Sequence, residues 1–296
     1  MVLDIERVKK WLIEAGCKMP QELKIACFDQ IGSTNDYIKE AISRAEPEWT
    51  LVTSLEQLCG YGRQGRSWVS PQGGLYLSIL LRPFEHSEFA KQFGIQHIST
   101  LSLVLSIALT RLAAQLGVDQ QVQIKWPNDV VRASIKRAQQ GNASKLEKLG
   151  GISVELLGEA LCVGIGLNVF RPLGKNTPSG KYQAAYIGEL GDTNNSALSS
   201  QGMNAEQLSY MEEVFALLLL EVRSVYNQWL VEGFLPFRDE YRSKSFLQGQ
   251  AIQVLSLTND ILYEGVVCDV DADGLLCLQK KDGSIVRAHS GEVHLI

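Results

Sequence analysis

What the chain lacks narrows it first. Its six cysteines (17, 27, 59, 162, 268 and 277) stand singly, with no CxxC pair. That spacing writes neither a zinc site nor a disulfide framework, and a reducing cytoplasm is the expected compartment. The longest apolar run, Val214 to Leu220, is far short of the ~20 residues of a membrane span. The opening residues MVLDIERVKK carry charge where a secretory leader needs apolar side chains. With 28 Lys and Arg against 33 Asp and Glu, and a formal charge of -5, no basic surplus exists to neutralise DNA phosphates or an anionic bilayer, so neither partner is expected. The P-loop pattern GxxxxGK[ST], the kinase HRD and DFG motifs and the G-x-S-x-G elbow are absent, and the four histidines form no metal or triad pattern.

What is present suits an ordinary globular chain. At 296 residues and 45% hydrophobic content, it buries a full core as one large domain or a large plus a small one. Periodicity predicts a helix over residues 4–15, a strand over 23–31, and a helix after the cap cluster Ser33-Thr34-Asn35-Asp36. Strands follow at 49–57 and 75–82, then a buried helix from 96 to 116 stopped at Gly117 and a strand at 121–126. Residues 132–148 are polar and basic and read as an exposed loop. Paired strands at 149–157 and 160–169, a long connection at 171–205 and a core helix from Asn204 to Val231 complete the first 245 residues. Beyond Phe246 come about five short strands, which read as a small barrel spanning 246–296.

Four stretches carry chemistry. The first, Cys59 to Pro71 (CGYGRQGRSWVSP), matches G-x-G-x-x-G, but no helix begins after it, as a dinucleotide fold requires. Its glycines let backbone N–H groups approach an anion, and its arginines offer a planar fork for phosphate or carboxylate. The second, Lys125-Trp126-Pro127-Asn128-Asp129, holds a lysine, an amide and a carboxylate at a strand end. The third is Lys148-Leu149-Gly150-Gly151-Ile152, and the fourth Gly164-x-Gly166-x-Asn168, where small residues admit a close approach. Asp269-x-Asp271-x-Asp273-Gly274 copies half of an EF-hand loop, but its twelfth position is Lys280, so it reads as a β-turn.

In this order and spacing, the four stretches with the Ser33-Thr34-Asn35 cap and the terminal barrel resemble biotin protein ligases, from about residue 25 to the end. The resemblance implies an α+β catalytic domain over 1–245, like that of class II aminoacyl-tRNA synthetases, with a mixed sheet and flanking helices. An SH3-like barrel follows over 246–296. It also implies a short form without an N-terminal DNA-binding domain. The implied reaction joins biotin and ATP, with Mg²⁺ accompanying the nucleotide, into biotinyl-5′-AMP. The biotinyl group then passes to one lysine of a biotin carboxyl carrier domain of acetyl-CoA carboxylase or a related carboxylase. The resemblance is compatible with a monomer or a homodimer.

Residue by residue, the resemblance matches Ser33, Thr34, Asn35 and Gln57 to the biotin ring. Gly60, Tyr61, Gly62 and Arg63 match the loop over biotin, and Lys148, Gly151, Gly164 and Gly166 the rest of that pocket. Arg63, Arg66, Trp68, Lys125, Asn128, Asp129, Lys148 and Asn168 match the nucleotide side. Arg63, Lys148, Lys125 and Asp129 are the catalytic candidates, and no residue is assigned to a metal. Two departures stand out. Tyr61 replaces the arginine common in the family's loop, which predicts a leakier intermediate. The segment 132–147 is longer than usual and offers Lys145 as a decoy for Lys148. The alternatives are a lipoate or octanoate ligase, whose pocket must hold an apolar chain, and a biotin-binding regulatory module without turnover.

Overall fold

The computed structural model describes residues 2–16, 23–133, 146–173, 183–191, 197–200 and 202–296. The fold is α+β. Its site rests on a mixed sheet in which β1 (Lys24–Phe28) runs parallel to β2 (Thr50–Ser54). Next in space come β3 (Gly74–Leu81), β7 (Ala160–Asn168), β6 (Leu146–Leu157), β5 (Asp129–Ala133) and β4 (Val122–Lys125), each antiparallel to its neighbour. A two-residue strand, β8 (Gln183–Ala184), pairs parallel with β6 at Glu147 and Lys148.

β2 and β3 are buried at every position, so neither alternates apolar with charged residues: β3 is a nearly continuous apolar run, and β2 buries Thr50, Thr53 and Ser54 beside Leu51 and Val52. Helix α2 (Thr34–Ser43) covers one face through Ile38 and Ala41, against Val52, Leu80 and Cys162. The other face carries α5 (Ile95–Gln115), on which α6 (Ala205–Glu232) packs, with α1 (Ile5–Glu14) outside that. The stripe Phe215, Leu218, Val222, Tyr226 and Trp229 on α6 is buried. By length and composition α5 and α6 are each apolar enough to cross a bilayer. No uninterrupted apolar run marked them because Ser, Thr and His punctuate α5 and charge punctuates α6, and both instead bury their apolar faces in this core. The caps are local: Ser33 Oγ accepts from Asp36 N at the start of α2, Asn204 and Gln207 make a reciprocal capping box at the start of α6, and Gly117 at φ +72° ends α5.

Some expected boundaries moved. The strand expected over 23–31 stops at Phe28, and Pro83 opens the one-turn helix α3 (Pro83–His86), followed by α4 (Glu88–Phe93). The expected loop 132–148 is shorter, because β5 runs on to Ala133 and β6 begins at Leu146; pairing across Arg132 and Glu147 outweighs their polarity. Residues 134–145, Lys145 among them, lie outside the described residues. In the connection 171–205 the apolar group Ala185, Tyr186 and Ile187 is buried, so its described part is packed rather than a plain loop.

Helix α7 (Arg238–Lys244) leads to the SH3-like C-terminal sheet of β9 (Ala251–Leu255), β10 (Ile261–Val270), β11 (Leu276–Gln279), β12 (Ile285–Ala288) and β13 (Glu292–Leu295). The spatial order is β12-β11-β10-β9-β13, so the last strand returns to the first instead of extending the meander. The Asp271 carboxylate accepts from the backbone of Asp273 and Leu275, a β-turn as expected. That turn docks on the larger domain: the Gly274 carbonyl accepts from Trp126 Nε1 at 3.1 Å.

Candidate functional site

The glycine-rich stretch is a narrow hairpin. Trp68 N donates to Gly60 O at 2.9 Å and Gly62 N to Arg66 O at 2.8 Å, with the turn at Arg63–Gly65. Gly60 is required there, because a Cβ would lie 2.4 Å from Ser70 Oγ and 2.7 Å from Trp68 O. The hairpin roofs a cavity of about 450 Å³ on the α2 side of the sheet.

The wall at the start of α2 is a polar network. Thr34 donates through both N (2.8 Å) and Oγ1 (3.0 Å) to Gln57 Oε1, whose Nε2 donates to Ser70 Oγ at 2.9 Å. Ser78 Oγ lies 2.8 Å from Thr34 Oγ1 and 2.7 Å from Asn35 Oδ1, while Asn35 Nδ2 donates to Ser153 Oγ at 3.3 Å. Thr34, Asn35, Ser78 and Ser153 are all buried, so these donors and acceptors are pre-set rather than solvated. Gly164 leaves room for them, since a Cβ there would sit 2.4 Å from Asn35 Oδ1 and 2.6 Å from Ser153 Oγ.

The opposite wall is cationic, and β-register builds it. Lys125 pairs with Asp129, Asp129 with Gly151 and Gly151 with Gly166, one row across β4, β5, β6 and β7. A register shift between Val130 and Val131 precedes Lys148, whose side chain lies over Gly151. Lys148 Nζ is 2.6 Å from Asp129 Oδ1 and 4.7 Å above the Trp68 ring. Arg63 Nη1 donates to Asn128 Oδ1 at 3.0 Å, and Asn128 Nδ2 to Ile152 O at 2.7 Å. Asn168 Nδ2 donates to Lys148 O at 3.0 Å, and Lys125 is buried on the same wall. Burial alone would raise the Asp129 carboxyl, but Lys148, Lys125 and Arg63 outweigh it and hold it below its ordinary range. Burial, and then Arg66, pull the Arg63 guanidinium down.

Of the residues singled out in the sequence, all line the cavity except Ser33 and Gly60. Ser33 spends its hydroxyl as a helix cap, and Gly60 acts from within the hairpin. Sequence reasoning missed Ser78 and Ser153, and also Gly291, Glu292 and Val293, which bring the C-terminal sheet to the cavity. Glu292 meets Arg66 at 3.0 Å. Tyr61 lines the cavity with its phenol turned to α2, donating to Asp36 Oδ1 at 2.7 Å. Among the described residues no group of three or more His, Cys, Asp or Glu could hold a metal. The arrangement suits a ligand with a compact hydrogen-bonding head at one end and negative charge at the other.

Comparison with known proteins agrees. Residues 27–169 match the biotin/lipoate A/B protein ligase family, and residues 248–295 the biotin protein ligase C terminal domain. The chain is 27% identical to a biotin–[acetyl-CoA-carboxylase] ligase of Mycobacterium tuberculosis, over 99% of this chain and 96% of that one. It is 29% identical to the enzyme of the same name from Paracoccus denitrificans, over 85% and 92%. The bifunctional ligase/repressor BirA of Escherichia coli is 26% identical, over 92% and 74%. Among solved structures, biotin protein ligase from Aquifex aeolicus in complex with biotin and ATP superposes with a TM-score of 0.67 at 23% identity, over 92% of this chain and 98% of that one, a likeness of fold.

Proposed function

The chain belongs to the biotin protein ligase family, and from that premise we propose that it condenses biotin with ATP to biotinyl-5′-AMP. Pyrophosphate leaves, and the biotinyl group then passes to one lysine of a biotin carboxyl carrier domain, of acetyl-CoA carboxylase or a related carboxylase. The observation that carries this reading is the polarity of the cavity, with Thr34, Asn35, Gln57 and Ser153 at one end and Arg63, Lys125 and Lys148 at the other. A ureido ring has one carbonyl and two N–H groups, which answer the mixed donors and acceptors of the first end.

Attack of the biotin carboxylate on the α-phosphate gathers negative charge on the phosphoryl oxygens. Lys148, Lys125 and Arg63 stabilise that charge while the hairpin excludes water from the mixed anhydride. Trp68 and Asn168 frame the nucleotide side, Arg66 meets the phosphates from the loop, and Asn128 steadies Arg63. In the second step the carrier amine, with an ordinary pKa of about 10.4, loses a proton and attacks the anhydride carbonyl, expelling AMP. Asp129, held ionised among cations, is a poor base and serves to orient Lys148. With Asp129 engaged by Lys148, the described residues offer no carboxylate cage, and Mg²⁺ would be held mainly by the nucleotide's phosphates and water. We take residues 1–245 as the catalytic domain and 246–296 as the barrel, working in the cytoplasm, where scattered thiols stay reduced.

A lipoate or octanoate ligase shares the adenylate logic, but an apolar chain would offer no hydrogen-bonding partner to the polar wall of Thr34, Asn35, Gln57 and Ser153. The test is pyrophosphate release from ATP with biotin, lipoate or octanoate, followed by label transfer to a carrier domain. Release with biotin alone, then labelling of one carrier lysine, is the expected result. Release driven by octanoate or lipoate supports the other ligase. No release with any acid leaves a binding module.

A further inference from the structure

We propose that Tyr61, Asp36, Lys39 and Glu155 form a latch that fastens the glycine hairpin to α2, and that this latch sets how long an activated acyl-adenylate is held. The proposal rests on reading the cavity as an adenylate-forming site. Tyr61 stands between Gly60 and Gly62 on the rising arm of the hairpin. Its Oη donates to Asp36 Oδ1 at 2.7 Å, and Lys39 Nζ lies 5.0 Å from its ring centroid. Lys39 in turn meets Glu155 Oε2 of β6 at 2.7 Å. Burial disfavours the Lys39 ammonium, but its bond to Glu155 more than restores it and raises its pKa, so a full cation faces the ring. Burial pushes the Tyr61 phenol up to about 12, which keeps its proton available for Asp36.

The hairpin has other fastenings, Arg63 to Asn128 and Arg66 to Glu292, each on the cationic side or on the C-terminal sheet. Tyr61 fastens the arm nearest the ring end, and to the helix whose first turn supplies Thr34 and Asn35. Opening the hairpin on that side breaks a hydrogen bond to a carboxylate and uncovers a cation–π contact together. Asp36, Lys39 and Glu155 are positioning residues, since none of them lines the cavity. Where the family's usual arginine predicts a leak on its loss, the phenol latch retains the intermediate instead.

The experiment is release of preformed biotinyl-5′-AMP, isolated on the full chain and chased with excess biotin. Tyr61→Phe and Asp36→Asn should each speed release about tenfold, and the double variant should release no faster than either alone. Lys39→Met should speed it about threefold. Adenylate formation in a single turnover should be unchanged in Asp36→Asn and Lys39→Met, and amide exchange at residues 60–68 should quicken while the unfolding temperature stays put. Those last two readouts separate a latch from general damage. Release within twofold of wild type in both single variants, or additive acceleration in the double variant, overturns the latch. If the wild type forms no adenylate, the functional reading falls and the latch with it; if it forms adenylate that the variants hold equally well, the latch alone falls.

Discussion

Lys148 Nζ sits 2.6 Å from Asp129 Oδ1, over Gly151 of β6, where an added Cβ would lie 3.1 Å from it. A strand lysine thereby projects across its own sheet into the cavity, oriented by a carboxylate that two further cations keep ionised. An ammonium held in this way needs little reorganisation to meet an anion in the cavity.

Removing that ammonium should be costly to catalysis and cheap to the fold. Lys148→Met leaves Asp129 with Lys125 and Arg63, so no buried carboxylate is stranded. Adenylate formation should fall by about 10²–10³-fold, the scale of losing one preorganised donor. Lys145→Ala should leave it intact. Pyrophosphate release measured in a single turnover decides the matter, and a Lys148→Met rate within tenfold of wild type would sink the assignment.

Arg63 ties the hairpin turn to Asn128 at 3.0 Å and is half-buried there. Arg63→Gly should release the adenylate faster while moving the unfolding midpoint by no more than about 2 °C, since a loop substitution away from the core costs about 0.5 kcal/mol. A chase of labelled adenylate beside a thermal scan checks both. A large fall in the midpoint with an unchanged release rate would mean that the arginine supports the fold instead.

Much of the site was legible because its motifs sit on successive strands. Lys125, Asp129, Gly151 and Gly166 are far apart in the chain, and the β-register that aligns them follows from strands the periodicity already marked. Residues whose roles depend on distant partners were not legible. Ser78 and Ser153 read as ordinary strand positions until Asn35 arrives between them. Gly291 to Val293 carry no motif, and only the docking of the C-terminal sheet brings Glu292 to Arg66. Ser33 shows the converse, for a hydroxyl at a helix start serves a ligand or a cap equally well by sequence, and here it caps.

The glycines of β7 separate two kinds of damage. A Cβ at Gly164 meets the buried Asn35 and Ser153, which have nowhere to go. Gly164→Ala should cost about 1–3 kcal/mol of stability by overpacking, together with biotin affinity. A Cβ at Gly166 meets the Trp68 indole at 2.8 Å, and Trp68 can swing away with its hairpin. Gly166→Ala should therefore lose ligand retention with stability nearly intact. Urea unfolding, biotin titration and Trp fluorescence distinguish them, with Gly32→Ala, which meets nothing within 4 Å, as the silent control. Equal stability losses at 164 and 166 would refute this division.

Far from the cavity, His97 should set part of the protein's acid sensitivity. Its ring stacks on Trp229 at 3.9 Å and 6° and is buried, with no hydrogen-bond partner for Nε2. Burial pushes its pKa down to about 4. The unfolded chain, with an ordinary value of about 6.5, takes up a proton well before the folded one. Stability from this group is therefore fully present above about pH 6.5 and is lost as the pH falls toward 4, by about 2 kcal/mol at pH 5. His97→Phe keeps an aromatic ring against Trp229 and removes the titration. Urea unfolding at pH 7 and pH 5 should show a smaller acid loss in the variant, by about that amount, and parallel losses in the two proteins would show that His97 is not the group responsible.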